Sequence, residues 1–190
     1  MLGGGVDDMT DMYFSHPAFA QYPVNNISVE GAQMYCDWFT QKVKQESKEV
    51  ITRFRLPSES EWKYVASEMG SLTKYAWEGQ FLRNAKGCYL SNFYAGTESD
   101  TVENNYQADG GMFTVKVDSY FPNSMGVYSI SGNVAEMVVL SDVDEFGLLG
   151  GSFLSSAEEL LIFSAPKSIL IPSGSPDVGF RPVLTFVKER

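Results

Sequence analysis

At 190 residues, 44% of them hydrophobic and 14% aromatic, the chain is long enough for one domain with its own core. A formal net charge of −10, from 24 acidic against 14 basic residues, excludes a nucleic-acid or anionic-membrane surface as the main partner. Two cysteines and one histidine leave no ligand set for a zinc site.

In chain order, Met1–Gly5 lacks the basic and apolar regions of a signal peptide, so none is expected, and no run is long enough to cross a membrane. Residues 1–22 are polar and glycine-rich, then aromatic. They read as a loop, open or disordered over 1–15, that packs its aromatic residues onto the core. His16, before Pro17, reads as a surface or packing residue. Ser28 is an N-cap, with Glu30 in the first turn. Ala32, Cys36, Phe39 and Val43 recur at helical spacing, widened by Tyr35 and Trp38, and predict an amphipathic helix from Val29 to about Lys48.

Arg53–Leu56 predicts a strand stopped by Pro57. Ser58 and Glu61 form a capping box that starts a second helix, with Trp62, Val65, Ala66 and Met69 on its apolar face and Gly70 at its end. Gly87–Phe93 predicts a further strand, and Tyr94–Gly111 a long polar loop. Val115–Tyr120 alternates as a strand does. Short strands are also expected at Val138–Leu140, Phe146–Phe153, Leu160–Ala165, Ser168–Ile171 and Val178–Val187, with an acidic loop at Ser141–Phe146. Cys36 and Cys88 lie beside aromatic residues and read as buried thiols, and spacing leaves a disulfide between them open.

The stretch Phe121–Met137, FPNSMGVYSISGNVAEM, carries two turn signals and then Glu136 within an apolar run. A carboxylate there needs a partner. A cation shared with nearby carbonyls is one solution, and hydrogen bonds from backbone amides are another.

Several motifs stand in a recognisable order: Tyr22-Pro23-Val24, the Arg55–Tyr64 run RLPSESEWKY, Ser91-Asn92-Phe93, GNVAE from Gly132, Gly150-Gly151-Ser152-Phe153 and Gly179-Phe180-Arg181. From about residue 16 onward the chain resembles the formylglycine-generating enzyme, or sulfatase-modifying factor, family. The resemblance implies a single domain over 1–190 with an irregular α+β fold of C-type-lectin-like form, two main helices and many short antiparallel strands. Three departures stand out. The cysteine pair with which those enzymes bind copper falls at Ser155 and Leu160, and neither can act as a thiolate. Ala135 and Met137 replace the two tryptophans usual around Glu136. The N-terminal hairpin usual in the family is missing. No copper is therefore expected.

The resemblance also implies two calcium sites. One would use the Asn92 and Asp109 side chains with the carbonyls of Phe93 and Gly111. The other would use Ser129, the carbonyls of Gly132 and Val134, and the Glu136 carboxylate. Hard oxygen donors of this mix suit calcium. The expected function is a non-catalytic structural or binding module with a protein partner. Two runs, His16–Val24 and Asp109–Val117, are similar to gliding-motility lipoproteins and imply a cell-envelope scaffold. The alternatives are a diverged oxidoreductase acting on a cysteine-containing protein and a lectin-like ligand-display module using Ser152–Pro176.

Overall fold

A computed structural model describes residues 7–46, 51–77, 79–96, 111–141, 145–169 and 174–187. The loop expected at the start contains a helix, α1 (Asp7–Ser15), followed by a 3-10 turn at Pro17–Phe19. The His16 ring caps the turn by accepting from the Ala18 N–H. Tyr13 packs on Phe14, Phe19 and Tyr22, and its hydroxyl donates to the Pro23 carbonyl.

Helix α2 (Val29–Glu46) begins as expected, with the Ser28 hydroxyl accepting from the Gly31 N–H. Its buried positions are Ala32, Cys36 and Thr40. Thr40 is tolerated there because its hydroxyl donates to the Cys36 carbonyl and accepts from the Phe54 N–H. Tyr35 and Trp38 stay exposed, because α2 packs on only one of the two strands beneath it. Those strands are β1 (Ile51–Arg55) and β6 (Val183–Val187), an antiparallel ribbon.

Helix α3 (Glu59–Ala66) starts at the complete capping box of Ser58 and Glu61. It ends a turn before the expected stop, and Met69 is exposed. Glu68, Met69 and Gly70 all take positive φ and form the turn that replaces it.

The main sheet runs β4 (Lys167–Ser168), β3 (Glu145–Leu149), β2 (Ala135–Ser141), β5 (Val178–Gly179). The β2–β5 pair is parallel and the others are antiparallel. β2 is longer than expected, and Pro182 interrupts the expected closing strand, since proline offers no N–H to a ladder. Two apolar clusters sandwich β2. Alternate strand residues point to opposite faces. Ala135 and Met137 face Ala32 and Leu56, while Val138 faces Trp62, Ala66, Ile130, Leu149 and Ile162. Glu136 shares the Val138 parity and lies on the Trp62 side.

Three expected strands are not formed. Gly87–Phe93 contributes a single bridge, Arg83 to Tyr89. Leu160–Ala165 is a run of turns, with Ile162 bonded to the Lys74 carbonyl. Among the described residues Val115–Tyr120 belongs to no sheet. Its main chain is held by the Asn133 side chain, whose Oδ1 accepts from the Val115 N–H at 2.9 Å and whose Nδ2 donates to the Val115 carbonyl at 3.1 Å. One amide side chain thus takes the place of a ladder. The strand expected at Ser168–Ile171 reduces to β4 within the described residues. Both cysteines are free. Cys36 is buried as expected, but Cys88 is exposed, because the loop that carries it turns on the Asn84 side chain at the surface.

Candidate functional site

The residues around Gly132, Asn133 and Gly150 form a polar hub beneath the loops. Gly132 and Asn133 adopt φ of 82° and 68°, left-handed values that glycine and asparagine tolerate best. This turn aims the Gly132 N–H at the Gly150 carbonyl (2.7 Å) and the Asn133 N–H at the Asn92 carbonyl (2.8 Å). A Cβ on Gly132 would stand 2.5 Å from the Asn92 carbonyl oxygen, so the approach requires glycine. The Ser91 hydroxyl closes the turn by donating to the Ser131 carbonyl.

Asn92 is fully buried, and its Nδ2 donates to the Phe113 carbonyl at 2.8 Å and to Asn133 Oδ1 at 3.3 Å. Its Oδ1 has no hydrogen-bond partner and is the one buried side-chain oxygen or nitrogen in that condition among the described residues. Phe93 follows it in the aromatic cluster with Tyr75 and Leu160. Gly111 approaches so closely that a Cβ there would stand 2.7 Å from Asn92 Oδ1. The structure therefore brings Asn92 and Gly111 together around one orphaned acceptor. Asp109 lies outside the described residues.

The second set of expected ligands is arranged differently. Glu136 is 4% exposed. Its carboxylate accepts from Arg181 Nε at 3.1 and 3.2 Å, from Arg181 Nη2 at 2.7 Å and from Trp62 Nε1 at 2.8 Å. The carboxylate holds Arg181 above the ordinary guanidinium range. Arg181 Nη2 also donates to the Tyr128 carbonyl at 2.9 Å. The Ser129 hydroxyl donates to the Val117 carbonyl, and Val134 is a buried wall residue. The donors on Glu136 are thus an indole and a guanidinium, where the sequence suggested a cation or backbone amides. Trp62 and Arg181 stood in two of the quoted motifs, yet their pairing with Glu136 was not foreseen.

Ser155 and Leu160 both border Gly151. A Cβ on Gly151 would lie 3.2 Å from Ser155 Cβ and 3.1 Å from Leu160 Cδ1. Ser155 is buried, with its hydroxyl 3.4 Å from that of Ser152, and Leu160 is fully buried. Ser152 in turn donates to Asp177 at 2.9 Å. Ser155, Asp177, Glu158, Glu159 and Lys167 border a cavity of about 170 Å³, in which Lys167 pairs with Glu159. A larger groove of about 520 Å³ runs between α1 and residues 111–115, lined by Met12, Tyr13, Phe19, Tyr22, Phe113 and Phe153. Among the described residues no three of His, Cys, Asp and Glu are placed to hold a metal ion together.

This architecture recurs in known proteins. Residues 8–186 match the sulfatase-modifying factor enzyme 1-like domain, and the chain belongs to that family. It is 31% identical over 119 residues to the formylglycine-generating enzyme of Mus musculus, covering 62% of this chain and 27% of that one. It is 30% identical over 115 residues to the Streptomyces coelicolor enzyme of the same name, covering 60% and 31%. It is 26% identical over 144 residues to the inactive C-alpha-formylglycine-generating enzyme 2 of Bos taurus, covering 73% and 40%. The chain thus spans roughly a quarter to two-fifths of the length of these relatives. Among solved structures it superimposes on Treponema denticola variable protein 1 with a TM-score of 0.64 (20% identity, 88% of this chain and 73% of that chain). PvdO from Pseudomonas aeruginosa gives 0.61 (18% identity, 88% and 63%). These likenesses bear out the irregular α+β fold. Among the described residues no helix is long and apolar enough to cross a membrane.

Proposed function

We propose that the chain is a non-catalytic member of this family, acting as a structural or binding module. The observation that carries this reading is the convergence of Ser155 and Leu160 on Gly151. The fold sets both positions against Gly151. It fills them with a hydroxyl and an aliphatic group. Neither binds copper(I) as a thiolate does, and Leu160 is spent on packing against Tyr75 and Phe93. Cys36 and Cys88 sit on α2 and on a surface loop, in motifs unrelated to this pair.

The bovine relative described as inactive supports the same reading by analogy. The aromatic groove beside α1 supports binding of a protein partner. The similarity of His16–Val24 and Asp109–Val117 to gliding-motility lipoproteins supports a cell-envelope setting for such a scaffold.

A structural calcium ion belongs to the proposal at the Asn92 site. The chemistry fits: a buried amide oxygen without a partner, held beside a close-approaching glycine, is a hard donor awaiting an acceptor of electron density. Asn92 would bind through Oδ1, and the carbonyls of Phe93 and Gly111 with Asp109 complete the proposed set. Bound there, calcium would tie residues 91–93 to Gly111. At the Glu136 set the negative charge already has its counter-charge in Arg181, so the proposal keeps a single ion.

Copper(I) titration under anaerobic conditions, followed by an oxidation assay on a cysteine-containing peptide, tests the non-catalytic reading. No stoichiometric copper uptake and no peptide oxidation are expected. Tight copper binding with turnover would sink it.

A further inference from the structure

We propose that the outer edge of β6 pairs with the same edge of a second copy of this chain, making a four-stranded antiparallel sheet across a twofold axis. The argument starts from hydrogen-bond direction. The Phe54 N–H donates to Thr40 Oγ1 at 2.8 Å, so it points away from β6. Phe54 stands opposite Leu184, which makes that pair a non-hydrogen-bonded one in the antiparallel alternation. The N–H and C=O groups of Leu184 therefore point to the open side, and those of Phe186, two residues on, do the same. β6 pairs only with β1 among the described residues.

The edge strand Val183-Leu184-Thr185-Phe186-Val187 has no charge, proline or bulge to blunt it, the devices by which exposed edges usually avoid pairing. Its sequence is also self-complementary. Antiparallel pairing centred on Thr185 sets Leu184 opposite Phe186 of the second copy, and Val183 opposite Val187. Leu184 and Phe186 carry the outward groups, so this register makes four main-chain hydrogen bonds and leaves Thr185 opposite itself as a close pair.

The same register covers apolar surface. Phe186 is 68% exposed and Leu184 40%, on the ribbon face that carries Phe54. On α2, which packs on β1, Tyr35 packs on Phe180 and Trp38 is 53% exposed. Aromatic side chains present about 150–250 Å² each, so Phe186 and Trp38 each leave roughly 100 Å² open. With both copies and the strand backbone the buried total stays below about 1,200 Å², in the range of weak interfaces. The dimer is accordingly weak, with a Kd on the order of 100 µM, and it tightens with salt as the like net charges are screened.

Sedimentation equilibrium across that concentration range tests the proposal. A monomer–dimer equilibrium is expected, abolished by Phe186→Lys and by Leu184→Pro. The proline removes only an outward N–H and leaves the β1–β6 ladder intact, which circular dichroism verifies. As a register test that does not depend on those variants folding, Thr185→Cys in a Cys88→Ser background should oxidise to a covalent dimer. Val183→Cys should not, because it faces Val187. A chain that stays monomeric at about 1 mM, a dimer indifferent to the edge variants, or cross-linking at position 183 in place of 185 overturns the proposal. The first two outcomes would assign the edge to another strand or the dimer to another face.

Discussion

Glu136 shows what one residue can and cannot announce. Its position in an apolar run marked a buried carboxylate needing a partner, and the parity of β2 sends it to the side of Trp62. The partner itself was not legible. Arg181 lies 45 positions away and reaches Glu136 only because β5 pairs beside β2 and aims the following residues inward. The pair carries an expected outcome. Arg181→Met leaves the Glu136 carboxylate with one indole donor. Because the Arg181 side chain is 35% exposed, the loss should fall below the cost of breaking a fully buried pair, about 3–5 kcal/mol. Adding Glu136→Gln removes the orphaned charge and should restore part of the loss. Urea denaturation of the two single variants and the double variant checks this. Equal, additive losses would mean the ion pair contributes no coupling.

At the level of elements, the two main helices were readable, while α1 was missed and three of the expected short strands did not form. Helix starts are written locally. Ser28 and the box of Ser58 with Glu61 bond to N–H groups three residues away, so neighbours in sequence suffice. Strands need a distant edge. Val115–Tyr120 alternates properly, yet the groups that bond it belong to the Asn133 side chain and the Gln21 carbonyl. Hydrophobic alternation cannot reveal that substitution.

The cap of α3 also carries a pH dependence. Glu61 accepts from Arg55 at 2.6 and 2.7 Å and from the Ser58 N–H at 2.9 Å. Arg55 foremost, and then the Ser58 backbone and hydroxyl, hold its carboxyl down from its ordinary 4.5 to about 2. A carboxyl depressed on folding contributes stability above its ordinary value and loses it as pH falls through the folded one. The stability advantage of the native chain over Glu61→Gln should therefore be constant above about pH 5 and disappear between about pH 4.5 and 2. Both partners are more than a third exposed, so salt should shrink the advantage. Thermal melts of both chains across that range check it, and an advantage that persists at pH 2 would rule the mechanism out.

The whole molecule depends on loops to an unusual degree. Between α3 and β2 the described residues contain no helix or strand beyond one bridge, yet they supply Ile130, Phe93 and Tyr75 to the core. Side-chain amides, left-handed turns and close glycines do the work of ladders there. An ion seated on Asn92 Oδ1 would join two such loops, so its effect should appear in global stability and not in a local change alone. A ligand that binds only the folded chain adds about 2.7 kcal/mol at a hundredfold excess over its Kd. For a chain of this size that corresponds to a rise in Tm of roughly 5–10 °C on adding calcium to metal-stripped protein. Magnesium, which resists losing its waters, should give less. Asn92→Ala should abolish the calcium increment whatever it does to the baseline, because it removes the orphaned oxygen. Glu136→Gln should leave the increment in place, because that carboxylate is committed to Arg181 and Trp62. The reverse pattern, with the increment lost at Glu136 and kept at Asn92, would move the ion to the Ser129–Glu136 set. Calorimetry showing no increment in the native chain would remove the ion altogether, leaving the hydrogen bonds of Asn133, Ser91 and Asn92 to hold these loops unaided.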